Sequence, residues 1–153
     1  MSKLQDYEIT ERVALLKKLR KALLSQREKF RRYLEVLEHQ ERDILEQDTE
    51  KLQAHAELEQ SIVREIYSVQ KVIDPLSQMY RMAYPDRHGD IPEIEASLVN
   101  LRQRVVERNR ENQELLRHHM TGIRKEISDI RAKRPRRPGY RSQPAPSLVD
   151  ITT

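Results

Sequence analysis

The sequence contains no cysteine and no tryptophan, and its 153 residues include one phenylalanine and three glycines. Without cysteine the chain forms neither disulfides nor thiolate metal sites. The shortage of large aromatic residues argues against a compact globular core, and the shortage of glycine argues against a sheet-rich fold with many turns. No apolar run approaches the roughly 18 residues that span a membrane, and the N-terminus lacks an apolar secretory signal. We therefore expect a soluble, intracellular protein without membrane insertion.

Charge is abundant but unevenly distributed. Charged residues make up 35% of the chain, and the net charge is +4. Six basic residues and one acidic residue follow position 130, so the preceding part of the chain is nearly neutral. The high isoelectric point therefore describes the C-terminal segment and does not indicate a nucleic-acid-binding surface on the fold.

Apolar residues recur at steps of three, four and seven in three segments, a spacing typical of helices that pack against other helices. The first segment extends over about residues 8–46, with Thr10 as a candidate N-cap. The second extends over about 49–74, with Asp48 or Thr49 as its cap and a kink or stop near Pro75. The third extends over about 92–132, after the break "AYPDRHGDIPE".

The sequence thus predicts an all-α fold: an elongated antiparallel helical hairpin with a third long helix packed along it, in a coiled-coil-like bundle of residues 1–132. Residues 133–153 are predicted to form a flexible, basic, proline-rich tail, because they contain too few apolar residues to offset the entropy of ordering. Two asparagines, Asn109 and Asn112, interrupt the third apolar stripe. Asn112 lies on the core register, and we expect one of the two to hydrogen-bond across the bundle.

No catalytic or metal-binding constellation is evident. His118 and His119 are adjacent, so on a helix they point about 100° apart and cannot share one metal ion. There is no glycine-rich phosphate loop and no arrangement of serine, histidine and aspartate with supporting context. We therefore expect a protein that is not an enzyme and that uses no cofactor and no metal.

The order of these segments resembles the FlgN family of flagellar type III export chaperones. The resemblance is carried by "LEQDTEKLQAHAELEQSI", where an acidic break precedes the second helix, and by "LRQRVVERNRENQELLRHHM" in the third. It covers roughly residues 8–140. It implies a cytoplasmic chaperone that binds hook–filament junction proteins similar to FlgK and FlgL and delivers them to the export gate protein FlhA.

Two groups of residues are candidates for these contacts. The family binds its client through the C-terminal part of the molecule, and an amphipathic client helix needs an apolar stripe to dock on. The candidate client-binding residues are Leu115, Leu116, Met120, Ile123, Ile127 and Ile130. The resemblance assigns gate docking to a C-terminal tyrosine, and the tail offers as anchors Tyr140, Leu148, Val149 and Ile151.

Two other interpretations remain open. The same apolar stripes suit a structural coiled-coil adaptor that oligomerises. The basic segment "RAKRPRRP" suits a nucleic-acid or acidic-membrane binder, although its only nearby aromatic residue is Tyr140. A charge run at a chain terminus is usually a solvated tail, so we expect no specific nucleic-acid partner.

Overall fold

The structure, a computed structural model, describes residues 2–86 and 89–133. It contains three α-helices: α1 is Ser2–Glu46, α2 is Thr49–Ala83 and α3 is Ile91–Lys133. No β-strand occurs within these described residues, so the predicted all-α class is confirmed. The predicted flexible tail lies outside the described residues from position 134 onward.

The chain divides into two compact units, Met1–His119 and Met120–Thr153, and α3 contributes residues to both. The first unit holds α1, α2 and the first part of α3, which share one apolar core. The described part of the second unit is the helical segment 120–133, in which every residue is exposed.

A two-residue turn joins α1 to α2. Gln47 adopts a left-handed φ of 57°, and the amide of Asp48 donates to the Asp43 carbonyl at 3.1 Å, which closes the end of α1. The carboxylate of Asp48 then accepts a hydrogen bond from the amide of Lys51 at 3.1 Å. Of the two residues predicted to cap α2, the structure selects Asp48.

The contacts between α1 and α2 show that the two helices form an antiparallel hairpin. Gln26 Nε2 donates to the Ile66 carbonyl at 3.0 Å, and the Tyr33 hydroxyl donates to Glu59 at 2.8 Å. Position numbers therefore rise along α1 as they fall along α2. The largest apolar side chains that the hairpin buries almost completely are Leu19, Leu37, Ile62 and Tyr80.

Helix α3 runs parallel to α1. Its contacts with α1 keep a nearly constant offset in sequence: the Arg102 guanidinium lies 5.9 Å from the Phe30 ring centroid, and Asn112 Nδ2 donates to the Leu37 carbonyl at 2.8 Å. Side chains, including long polar ones, therefore bridge α3 to the hairpin.

Two local signals in the sequence are overridden. Helix α1 begins at Ser2, so Thr10 is not its N-cap; the Thr10 hydroxyl donates to the Asp6 carbonyl at 2.7 Å, a bond that a threonine inside a helix can make. Helix α2 continues through Pro75 to Ala83, so the predicted end near residue 74 is wrong. Pro75 and Lys71 are both exposed, and water can reach the carbonyl that proline leaves without a helical donor.

The first turns of α1 do not join the core, contrary to the predicted stripe. Ile9 is 59% exposed and Val13 is 43% exposed. Arg20 donates a hydrogen bond to Asp90, the residue just before α3, at 2.8 Å, so α3 begins beside residue 20 and leaves the first turns of α1 without a third helix to cover them.

Replacing Asn112 with alanine should lower the free energy of unfolding by about 1–2 kcal/mol, because it removes a buried cross-helix hydrogen bond and leaves a void. Asn109→Ala is the matched control on the same helix and should be neutral or slightly stabilising, since Asn109 is only half-buried and alanine favours the helix. Urea unfolding followed by circular dichroism compares the two. Equal effects would contradict a register-setting role for Asn112.

Replacing Pro75 with alanine should raise the free energy of unfolding by about 2 kcal/mol, because the new amide restores the bond to the Lys71 carbonyl. The gain is smaller than the full cost of proline in a helix, since alanine also frees the unfolded chain. Thermal unfolding measures it. A lower melting temperature would show that α2 does not run continuously through this position.

Candidate partner-binding surface

The apolar register of α3 changes by one residue between Leu115 and Leu116. Steps of seven from Ile91 reach Leu98, Val105 and Asn112, which are all buried in the bundle. The next steps reach His119, Glu126 and Lys133, which are polar. The stripe that packs in the bundle therefore ends with the first unit.

A second apolar stripe begins one position later. It has the steps four, three, four and three, which is the spacing of a coiled-coil seam. We call it the C-terminal strip, and it consists of Leu116, Met120, Ile123, Ile127 and Ile130.

All five residues of the C-terminal strip are exposed, from 40% at Leu116 and Met120 to 55% at Ile130. Leu115, the sixth residue predicted to bind a client, is half-buried and belongs to the register of the bundle stripe. The other predicted contacts, Tyr140, Leu148, Val149 and Ile151, lie outside the described residues.

Basic residues border the C-terminal strip on one side. Arg117, Arg124 and Arg131 each follow a strip residue at seven-residue intervals, and we call them the arginine flank. The opposite border is mixed and consists of His119, Glu126 and Lys133. The residues of both borders are exposed, except for His119, which is half-buried. A partner on the strip would therefore meet mainly positive charge along its two borders.

A second apolar surface, which sequence reasoning missed, lies in the first unit between the start of α1 and the end of α2. Its groove encloses about 730 Å³, and Leu15 and Leu76 lie on opposite walls. Met79 and Met82 line the same groove and are 53% and 79% exposed. The signal for it was present in the sequence as two flexible methionines close to the end of a helix.

Two ionisable side chains of the first unit have shifted pKa values. Burial raises the pKa of Tyr33, and its hydrogen bond to the Glu59 carboxylate raises that pKa further. The hydrogen bond from Arg20 lowers the pKa of Asp90, which lies just before α3.

Histidines in the described residues do not converge on a metal site. At the turn end of the hairpin, His55 pairs with the buried Asp43, and its ring stacks on His39 with centroids 6.0 Å apart. His118 and His119 meet edge-on, with their centroids 6.5 Å apart. Within residues 2–86 and 89–133, no three His, Asp or Glu side chains are placed to hold a metal ion.

None of the helices in the described ranges has an apolar stretch sufficient to cross a bilayer. The fold and its surface define an all-helical bundle protein with an exposed apolar strip near the end of α3, and charged residues border that strip.

Comparison with known proteins places the chain in a family. An uncharacterized protein of Treponema pallidum (strain Nichols) is 32% identical to it over 133 residues, which cover 87% of this chain and 86% of that protein. The chain belongs to the same family as this Treponema protein. No protein-family model matches the chain, and no solved structure matches it.

The two described glycines should respond in opposite ways to alanine. Gly122 lies in α3 next to the strip, and a Cβ there meets nothing within 4 Å, so Gly122→Ala should stabilise the helix by about 1 kcal/mol. Gly89 has a φ of +85°, so Gly89→Ala should cost about 1 kcal/mol although its Cβ also meets nothing. Hydrogen exchange around each site and thermal unfolding measure the two effects. A gain at Gly89 or a loss at Gly122 would contradict the backbone described here.

Proposed function

We propose that this protein is a FlgN-like export chaperone, that it acts in the cytoplasm without catalysing a reaction, and that it holds hook–filament junction proteins for export. The C-terminal strip is the surface on which the client docks. Tyr140 and the tail residues Leu148, Val149 and Ile151 deliver the complex to the export gate protein FlhA. Delivery by the tail rests on the resemblance alone.

The observation that carries the proposal is the exposed C-terminal strip. Five apolar residues at coiled-coil spacing cover about four turns of helix, and each leaves at least 40% of its surface in solvent. An apolar face of that regularity is unusual on a helix that binds nothing, because surface helices normally present polar residues to water. Its spacing matches the face of an amphipathic helix, which is the kind of segment a chaperone holds.

A structural coiled-coil adaptor is the second candidate, and the same spacing favours it, since a strip with steps of four and three also suits a second copy of the chain. Light scattering separates the two functions. A monomer that becomes a one-to-one complex with a junction protein supports the chaperone, whereas a stable dimer without client supports the adaptor.

The double variant Ile123→Ser/Ile127→Ser should lose client binding by about a hundredfold, because it removes two apolar contacts from the middle of the strip. Folding should be unchanged, since both side chains are already 43–46% exposed. The measurement is co-purification and titration with the terminal helices of a junction protein of the FlgK or FlgL type.

The matched control is Ile9→Ser/Val13→Ser. These two residues are also exposed, at 59% and 43%, and lie four positions apart on α1 within the first unit, the same spacing as Ile123 and Ile127. The control should bind the client as tightly as the unmodified protein. Equal losses in both variants, or full binding by the strip variant, would remove the C-terminal strip from the proposed function.

A further inference from the structure

We propose that the C-terminal strip selects an acidic amphipathic helix, one whose own apolar seam is bordered by carboxylates that meet Arg124 and Arg131. This inference rests on the proposed function and specifies the partner's chemistry at the same surface. It concerns which helix is accepted, whereas the proposed function concerns only whether a client helix is held.

The geometry of the strip requires a helical partner. Its apolar residues recur every three or four positions, so an extended strand, whose side chains repeat every two residues, would match only a few of them. The strip from Leu116 to Ile130 covers about 22 Å of helix axis. A partner helix of about four turns would pair with it along its whole length.

Charge then distinguishes among helical partners. In a coiled coil, the residues that border the seam contact the bordering residues of the partner and decide which partner is accepted. On this strip Arg124 and Arg131 occupy one border, and both are exposed. Neither side chain forms an ion pair with any other residue that the structure describes. Both are therefore available to a partner.

A second copy of the chain is a poor match for this border. Antiparallel self-pairing would set the arginine flank against its own copy, which places like charges side by side. Parallel self-pairing would set the flank against His119, Glu126 and Lys133, of which only Glu126 attracts it. A helix with glutamate or aspartate beside its seam removes this repulsion and adds opposite charges. Charge complementarity therefore favours an acidic partner over self-association.

The probes are two synthetic amphipathic peptides of about 20 residues with the same leucine and isoleucine seam. One carries glutamate at every bordering position and the other carries lysine there. Binding to the full-length protein is followed by fluorescence anisotropy. We expect the glutamate peptide to bind about tenfold more tightly at low salt, and we expect the difference to shrink as salt screens the exposed charges.

Reversing the flank should reverse the preference. Arg124→Glu/Arg131→Glu should weaken binding of the glutamate peptide by about tenfold and should strengthen binding of the lysine peptide. The matched control is Arg110→Glu/Lys125→Glu, which changes the net charge by the same amount at exposed positions that do not border the strip. The control should still bind the glutamate peptide more tightly than the lysine peptide. The reason is that Arg110 and Lys125 do not contact the bordering residues of the peptide, and Arg124 and Arg131 are unchanged.

The outcomes separate this inference from the proposed function. Equal binding of both peptides that disappears in Ile123→Ser/Ile127→Ser would overturn the charge selection and leave the strip as a client site. Failure of both peptides to bind would also overturn the selection, and client co-purification would then report on the function independently. A dimer of the free protein that dissociates in the same serine variant would show that a second copy occupies the strip.

Discussion

The hydrogen bond from Asn112 to the Leu37 carbonyl is the constraint on which the arrangement of α3 depends. Asn112 is 3% exposed, and its amide also donates to Gln40 at 3.3 Å. Apolar side chains alone would allow α3 to slide by a turn against α1, since leucine and isoleucine contacts are similar in each register. A buried amide is satisfied in one register only, and a polar residue in a helical seam fixes alignment for this reason. An ion pair between Arg108 and Glu41, at 2.7 Å, supports the same alignment one turn away.

Fixing that register also determines where the bundle stripe of α3 stops. Beyond Leu115 the core positions are polar, and the apolar residues move to the neighbouring register. A helix that only completed the bundle would have no use for a second stripe. The change of register therefore separates the stripe that stabilises the first unit from the exposed C-terminal strip, on which we propose that a partner docks.

The composition is consistent with this division. With charged residues at 35% and aromatic residues at 5%, the bundle core is thin. Long polar side chains such as Gln26, Arg102 and Arg108 complete the contacts between helices. In the proposed contact, the arginine flank adds discrimination to an apolar surface that has little selectivity of its own.

The sequence by itself determined the three helices, the break before α3 and the apolar spacing near the end of α3, because these follow from apolar periodicity and local turn chemistry. It narrowed the cap of α2 to Asp48 or Thr49, and the structure selected Asp48 and showed that the C-terminal strip is exposed. Only the tertiary structure decided that α2 passes through Pro75, that Asn112 and not Asn109 crosses the bundle, and that Ile9 lies in solvent. The physical reason is that helices this long obtain most of their stability from packing against one another. Packing outweighs the local cost of one proline, and the register between helices determines which apolar residues are covered.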